Sequence, residues 1–269
     1  MIPVNWLSKY VYCPMKLYLE VVAGIKPKLE LRMLLGTIGH SILLKAFAQD
    51  EKIISRYSPE MDQNSLFSSF WKRYLDIAFV ELTKQKPELS AFNIELLDVF
   101  DSMKPILQRL ARLRSKEVAV FASSVNVHGK QLTKLIYPKY QVNLKLESDR
   151  LQLKGEIDLV ESYKDFKQIV DLKLSEPPNY GLWPTDQIQL GAYTLLLREI
   201  TKQPVKAAVF YVKYGNRKSI SINPLLEKEV YNVRDRILEM TTKRNKPEFK
   251  INKQKCDSCS LAEHCPLRQ

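Results

Sequence analysis

Two short alternating runs constrain this chain more than anything else in it. They are GEIDLV at 155–160 and IVDLKL at 169–174, separated by the polar Ser162-Tyr163-Lys164-Asp165. Alternation of period two marks a strand, and a short polar segment between two such runs predicts a hairpin. In the second run Ile169, Asp171 and Lys173 fall on one face, with Val170, Leu172 and Leu174 on the other. The hairpin brings Asp158 towards Asp171 at one end of a sheet. Two carboxylates that close repel unless a cation lies between them, and hard divalent ions prefer oxygen ligands. A lysine two residues beyond one carboxylate can order a water or offset negative charge on phosphorus. Asp-x-Lys on a strand is also common as a solvated ion pair. The chemical reading therefore leans on its surroundings: Gly155 before Asp158, Gln189 and Tyr193 after Lys173, and cysteines at both ends of the chain.

Upstream of the hairpin the periodicity is helical. Trp6, Leu7, Tyr10, Val11 and Leu17 form an apolar face over 5–20, broken at Cys13-Pro14. Residues 31–49 predict a helix with an apolar stripe, in which Gly36 and Gly39 permit close approach of another backbone. His40 shares a face with Gly36. A lone histidine there is ordinarily a core residue; a two-carboxylate site elsewhere makes it a candidate ligand. Residues 50–60 read as a connection, 63–85 as a helix ended by Pro87, and 91–115 as a second long helix. The basic end of that helix suits its dipole, and Arg109, Arg112 and Lys116 on one face are candidates for phosphate contact.

From 117 the period changes to two, and EVAVFASSV, YQVNLKLES, RLQLKGEIDLV and FKQIVDLKL read as strands. Gly155 leaves room for a close neighbour, such as a substrate backbone. A loop follows at Pro177-Pro178. A helix then runs from Pro184 to about Lys202 with Thr185 and Asp186 as caps, and it places Gln189 and Tyr193 on one face. Strands at 205–213 and 217–222 and a helix at 224–243 complete the pattern. The division expected is N-terminal helices at 1–49, a helical insertion at 50–116, a core at 117–250 and a cysteine-bearing tail at 251–269.

The tail reads C-x2-C-x5-C, with Cys256, Cys259 and Cys265. Three thiolates are one short of a closed zinc or iron–sulfur site. The remaining cysteine is Cys13, and as fourth ligand it would fasten the two ends of the chain together. Zinc with His264 as a substitute ligand is the competing arrangement. The 42 Lys and Arg against 30 Asp and Glu give a net charge of +12, which favours polyanions or anionic membrane surfaces. No apolar run approaches a membrane span and no leader is apparent, so a soluble, cytoplasmic protein is expected, with thiols bound to metal rather than in disulfides.

Cys13-Pro14, His40, GEID at 155–158, DLK at 171–173, Q-x3-Y at 189–193 and the three-cysteine tail together resemble the CRISPR-associated Cas-four nucleases, relatives of the RecB nuclease domain. The resemblance implies an α/β, restriction-endonuclease-like core of PD-(D/E)xK type. It implies an iron–sulfur cluster on Cys13, Cys256, Cys259 and Cys265, most often [4Fe–4S] and alternatively [2Fe–2S]. It further implies an exonuclease on single-stranded DNA ends that trims prespacers for the CRISPR integrase and its adaptation partners. On that likeness His40, Asp158, Asp171 and the backbone carbonyl of Leu172 hold Mg²⁺ or Mn²⁺, Lys173 is catalytic, and Gln189 and Tyr193 support the site and DNA. The long segment at 50–115 and Met15 after Cys13-Pro14 depart from the family pattern. No G-x4-G-K-[ST] phosphate loop occurs, so the chain carries no ATPase motif of that kind. Two other functions compete: a non-catalytic DNA-binding or assembly module, and a zinc-stabilised adaptor without a DNA role.

Overall fold

The computed structural model describes residues 1–266. Its organising strand is β3 (Leu153–Ser162), within a six-stranded mixed sheet. Along one edge β3 pairs antiparallel with β2 (Lys139–Ser148), from Ser148↔Leu153 to Lys139↔Ser162. The opposite edge is divided. The two-residue β1 (Ile2–Pro3) runs parallel to Leu153 and Lys154, and β4 (Lys167–Lys173) runs antiparallel to Leu159–Ser162. Residues 155–158, the GEID motif, have no registered partner on that edge among the described residues. Asp158 and Asp171 stand opposite one another one step beyond the last registered pair, Leu159↔Val170. The expected hairpin is present, closed by Tyr163 N–H donating to the Phe166 carbonyl at 2.9 Å.

Strand β5 (Val205–Tyr211) runs parallel to β4, and β6 (Asn216–Ile220) antiparallel to β5. A parallel pair needs a crossover; here it is α9 (Pro184–Ile200). That connection carries Gln189 back over the sheet towards Asp171.

Helices cover both faces. On one side lie α1 (Val4–Tyr12), α9 and α10 (Pro224–Lys243), packed on Ile157, Val160, Ile169 and Val209. On the other, α3 (Leu31–Phe47), α5 (Gln63–Lys84) and α7 (Leu96–Val125) share a core with Leu159, Val170, Leu172 and Phe210. The short α2 (Pro14–Val21), α4 (Asp50–Ile54), α6 (Lys86–Ala91), α8 (Gly129–Leu135) and α11 (Lys253–Asp257) join these elements. Cys13 is extended (φ −162°) between α1 and α2, the break that Pro14 predicts.

Several expectations are corrected. EVAVFASSV is not a strand: it is the last part of α7. Ala111, Ser115, Val118, Ala119 and Ala122 are buried at helical spacing, while Val120 is 60% exposed; the period-two look of the run is coincidental. The boundary placed at 116 therefore falls inside a helix, and that helix shares the sheet's core. Residues 50–60 are no simple connection either, because α4 places Asp50 against Arg114. The two form a buried bidentate pair at 2.7 Å and 2.7 Å, and Arg114 also donates to the Pro138 carbonyl at 3.2 Å. Burial raises the Asp50 pKa, with the Arg114 guanidinium opposing it. Neither helix glycine meets another backbone as expected: a Cβ at Gly39 would run into the Leu174 side chain, and Gly36 has nothing within 4 Å. One apolar run does approach a membrane span in length. One helical stretch, Leu31–Ile54, is long and apolar enough to span a membrane by length and composition, with a hydropathy of 1.2 and 44% of its window buried in the fold.

Candidate functional site

The divided edge of β3 gathers the ionisable residues. His40, one turn from Thr37 and Lys45 on α3, bonds through Nε2 to Asp158 Oδ2 at 2.8 Å. Burial works most strongly against the charged imidazole, but the Asp158 bond and the negative charges of Asp158 and Asp171 together outweigh it, and the His40 pKa is raised. Asp171 lies deeper, 5% exposed, and its pKa is pushed up to about 6 by burial, opposed by Lys173 and reinforced by Asp158. Its Oδ1 accepts from Gln189 Nε2 at 3.3 Å, and Ser8 Oγ in turn donates to Gln189 Oε1 at 3.2 Å. Oδ2 makes no well-formed hydrogen bond, although the Lys173 ammonium stands 2.9 Å away. That contact is an ion pair, and a carboxylate oxygen with one cation beside it still has a lone pair for a further positive partner.

Lys173 is flanked on its other side by Asp186 Oδ1 at 3.5 Å. Burial disfavours its charge, but Asp171 and Asp186 more than compensate, so its pKa is raised and it stands as an ammonium. Asp186 was expected as a helix cap; the cap position is instead Trp183, and the Asp186 side chain turns inward. It also accepts from the Tyr211 hydroxyl at 3.5 Å, and burial, with Asp186 beside it, pushes the Tyr211 pKa to about 12. Sequence reasoning missed this residue because a first-turn acid in a helix has an adequate local explanation.

Tyr193 is buried against the GEID motif. A Cβ at Gly155 would meet Tyr193 Cε1 at 2.7 Å and Val4 Cβ at 3.2 Å. The space expected for a substrate backbone is thus filled by the protein's own ring. Tyr193 supports the strand from beneath, and burial raises its pKa. The Leu172 side chain points into the α3/α5/α7 core, 4% exposed. Arg109, Arg112 and Lys116 lie on the exposed side of α7. Arg109 donates to the Lys213 carbonyl at 2.9 Å and Arg112 lies over the Phe67 ring at 5.8 Å; neither contact reaches the carboxylates.

The donors His40, Asp158 and Asp171 suit a hard divalent ion: two carboxylates and an imidazole, one carboxylate oxygen buried and under-bonded. Among the described residues no three His, Cys, Asp or Glu side chains stand together in an arrangement that could hold one ion. His40 and Asp158 are engaged with each other.

The four cysteines line a single cavity of about 320 Å³, between the Cys13 break and the tail, together with Met15, Leu19, Phe249 and Leu261. All four are free thiols, partly buried. His264 is exposed and is not among the lining residues. The Lys255 ammonium donates to the Tyr12 carbonyl at 3.0 Å, holding the tail beside Cys13. A donor set of four thiols suits zinc or an iron–sulfur cluster.

A protein-family model described as the PD-(D/E)XK nuclease superfamily matches residues 4–266. The chain is 28% identical over 165 residues to a CRISPR-associated exonuclease Cas4/endonuclease Cas1 fusion of Myxococcus xanthus (strain DK1622), covering 59% of this chain and 28% of that protein. It is 24% identical over 173 residues to a protein of the same name from Leptospira interrogans serogroup Icterohaemorrhagiae serovar Lai (strain 56601), covering 59% and 31%. The chain thus spans less than a third of the length of these relatives. Among solved structures, an exonuclease-designated protein from Eubacterium rectale overlaps with a TM-score of 0.39 at 16% identity, over 82% of this chain and 86% of that one. The family match takes in both strands of the hairpin, the Asp-x-Lys pair, the crossover helix and all four cysteines: the chain belongs to the PD-(D/E)XK nuclease superfamily.

Proposed function

We propose that the protein is a metal-dependent deoxyribonuclease that digests single-stranded DNA from its ends and trims prespacers for the CRISPR integrase. The observation that carries the reading is that Asp158 and Asp171 stand opposite one another one step beyond the last β3–β4 pair, with the Lys173 ammonium 2.9 Å from Asp171. The relatives named as exonuclease–endonuclease fusions support the CRISPR setting and the integrase as partner. His40, Asp158, Asp171 and the Leu172 carbonyl would hold Mg²⁺ or Mn²⁺. Bound there, the ion supplies Lewis acidity to a phosphate oxygen and lowers the pKa of water. The chain's own residues do the rest. Gln189, steadied by Ser8, fixes the orientation of Asp171. Lys173, held between two carboxylates, acts as a fixed positive donor that orders the attacking water and offsets charge gathering on phosphorus. The cysteine cavity is assigned an iron–sulfur cluster of structural role that clasps the tail to the N-terminal helices.

Single-stranded DNA is the preferred substrate on a further observation. The loop joining Lys173 to α9 exposes Tyr180 (92%) and Trp183 (50%) to solvent. Aromatic rings beside a phosphodiester site offer stacking faces to unpaired bases, at about 1–3 kcal/mol per base. The test is digestion of end-labelled single-stranded and duplex DNA in Mn²⁺ by the parent and by a Tyr180→Ala/Trp183→Ala double variant. The parent degrades the single strand preferentially, and the double variant raises its KM by about 10-fold or more while kcat changes little. Equal KM values for parent and double variant remove the stacking role. Absence of cleavage by the parent in Mg²⁺ and Mn²⁺, with DNA binding retained, favours the non-catalytic module.

A further inference from the structure

Strand β2 contains a backbone anomaly opposite the proposed metal site. Asn143 has φ +53° in the interior of the strand. Val142↔Leu159 and Leu144↔Ile157 are registered pairs, whereas Asn143 and Asp158, facing each other between them, are not. The two strands exchange faces at this point. Tyr140 and Val142 pack with the α3/α5/α7 core, but Leu144 and Leu146, of the same parity, pack with the α1/α9/α10 core. In β3, Ile157 and Leu159 divide between the two cores in the same way. A left-handed residue inside a strand is costly, and asparagine tolerates it better than other residues with a side chain. Such anomalies collect at functional sites.

A cleft of about 280 Å³ lies beside the switch, between α3 and the two strands. Thr37, His40 and Lys45 line it from α3, and Asn143, Glu156 and Asp158 from the sheet. Lys45 is the one lysine or arginine among the lining residues. It is anchored from behind by the buried Glu81, which also accepts from Lys84 at 2.6 Å and from Ser41 at 3.0 Å. Burial alone would raise the Glu81 pKa, but these three donors hold it at about 2. Lys84 shares the Glu81 carboxylate with Lys45, so the Lys45 ammonium is only partly neutralised; across the cleft it faces the sheet-side acids Glu156 and Asp158. Its volume lies near the small end of ligand pockets, roughly 300–1,000 Å³, and suits one sugar–phosphate unit.

We propose that this cleft seats the nucleotide next to the scissile phosphate, with Lys45 as its phosphate cation and the left-handed Asn143 as the feature that opens it. The subsite deepens the nuclease reading and rests on it for its substrate. The test measures binding of a fluorescent single-stranded oligonucleotide to the full chain, cysteine site loaded, in Mg²⁺-free buffer across a salt series. Cleavage in Mn²⁺ is assayed alongside. Lys45→Met weakens binding by about 5–10-fold irrespective of sequence and lowers the salt slope by about one phosphate contact. Lys45→Arg restores most of it. Asn143→Gly retains the affinity because glycine keeps the left-handed backbone, whereas Asn143→Val loses it. Unchanged affinity and salt slope in Lys45→Met, with only a lowered melting temperature, overturn the subsite and leave a salt bridge. Lys45-dependent binding by a parent that does not cut keeps the subsite and removes the nuclease reading; cutting without Lys45 dependence does the reverse.

Discussion

Lys173→Ala lowers kcat for single-stranded DNA digestion by roughly 10²–10³-fold, the range for removing one preorganised donor from developing transition-state charge. The effect falls on kcat rather than KM, because the ammonium is directed at the reacting centre and not at the length of the DNA. Its geometry supports this assignment: Nζ sits 2.9 Å from Asp171 and 3.5 Å from Asp186, on a side chain 29% exposed. Lys173→Arg does not restore the rate, since a planar guanidinium cannot replace a compact ammonium between two carboxylates. Removing the lysine leaves Asp171 and Asp186 without their shared cation, so some stability is lost too. Circular dichroism and a thermal melt separate that loss from the chemical one. A folded Lys173→Ala protein with parental kcat contradicts the assigned role.

The second large effect concerns the cysteines. Cys13→Ser, Cys256→Ser, Cys259→Ser or Cys265→Ser each removes the visible absorbance of anaerobically purified protein and lowers its melting temperature. Metal binding is folding free energy wherever the ligands come from distant parts of a chain, and here they lie at opposite ends of the sequence. A loss of about 3 kcal/mol corresponds to roughly 6–12 °C in a chain of about this size. Besides the Lys255–Tyr12 bond and the packing of Leu261 and Phe249 on Met15 and Leu19, two polar links join the tail to the N-terminal segment, and both are weak. Lys28–Glu263 at 3.4 Å is an exposed pair of little worth, and Arg32 reaches the Ser258 carbonyl at 3.3 Å from an exposed position. Colourless protein with stoichiometric zinc, lost in the same four variants, assigns the cavity to zinc instead. Full metal content in all four variants refutes a cysteine-bound centre altogether.

The parts of this molecule visible in its sequence are those where local pattern and tertiary position agree. The β3–β4 hairpin declares itself through period-two alternation on both sides of a polar turn, and its register sets Asp158 opposite Asp171. The Cys13-Pro14 break is equally plain, because proline cannot continue the preceding helix. Where one residue type fits two periods the pattern misleads. In the last part of α7, Val118 and Val120 alternate like a strand, and only packing on α5 shows that Val118 is buried and Val120 exposed. Strand β1 is two residues long, too short for any period to register, yet it divides the β3 edge and so frames the site. Asp186 looks like an ordinary helix-start acid until Lys173 is brought beside it by the β4–α9–β5 crossover. The left-handed Asn143 leaves only a faint trace, an asparagine in a run of otherwise good strand formers. Gly155 is a place of close approach, as a glycine within a strand suggests, but the neighbours are Tyr193 and Val4 rather than a ligand.

The central claim is that His40, Asp158 and Asp171 converge on one divalent ion. Calorimetric titration of Mn²⁺ into cluster-loaded protein, beside Asp171→Asn and Asp158→Asn, tests it most directly. The account predicts saturable binding by the parent and its loss in both variants, with the cysteine-site absorbance unchanged. Mn²⁺ binding of parental affinity in both variants would contradict it.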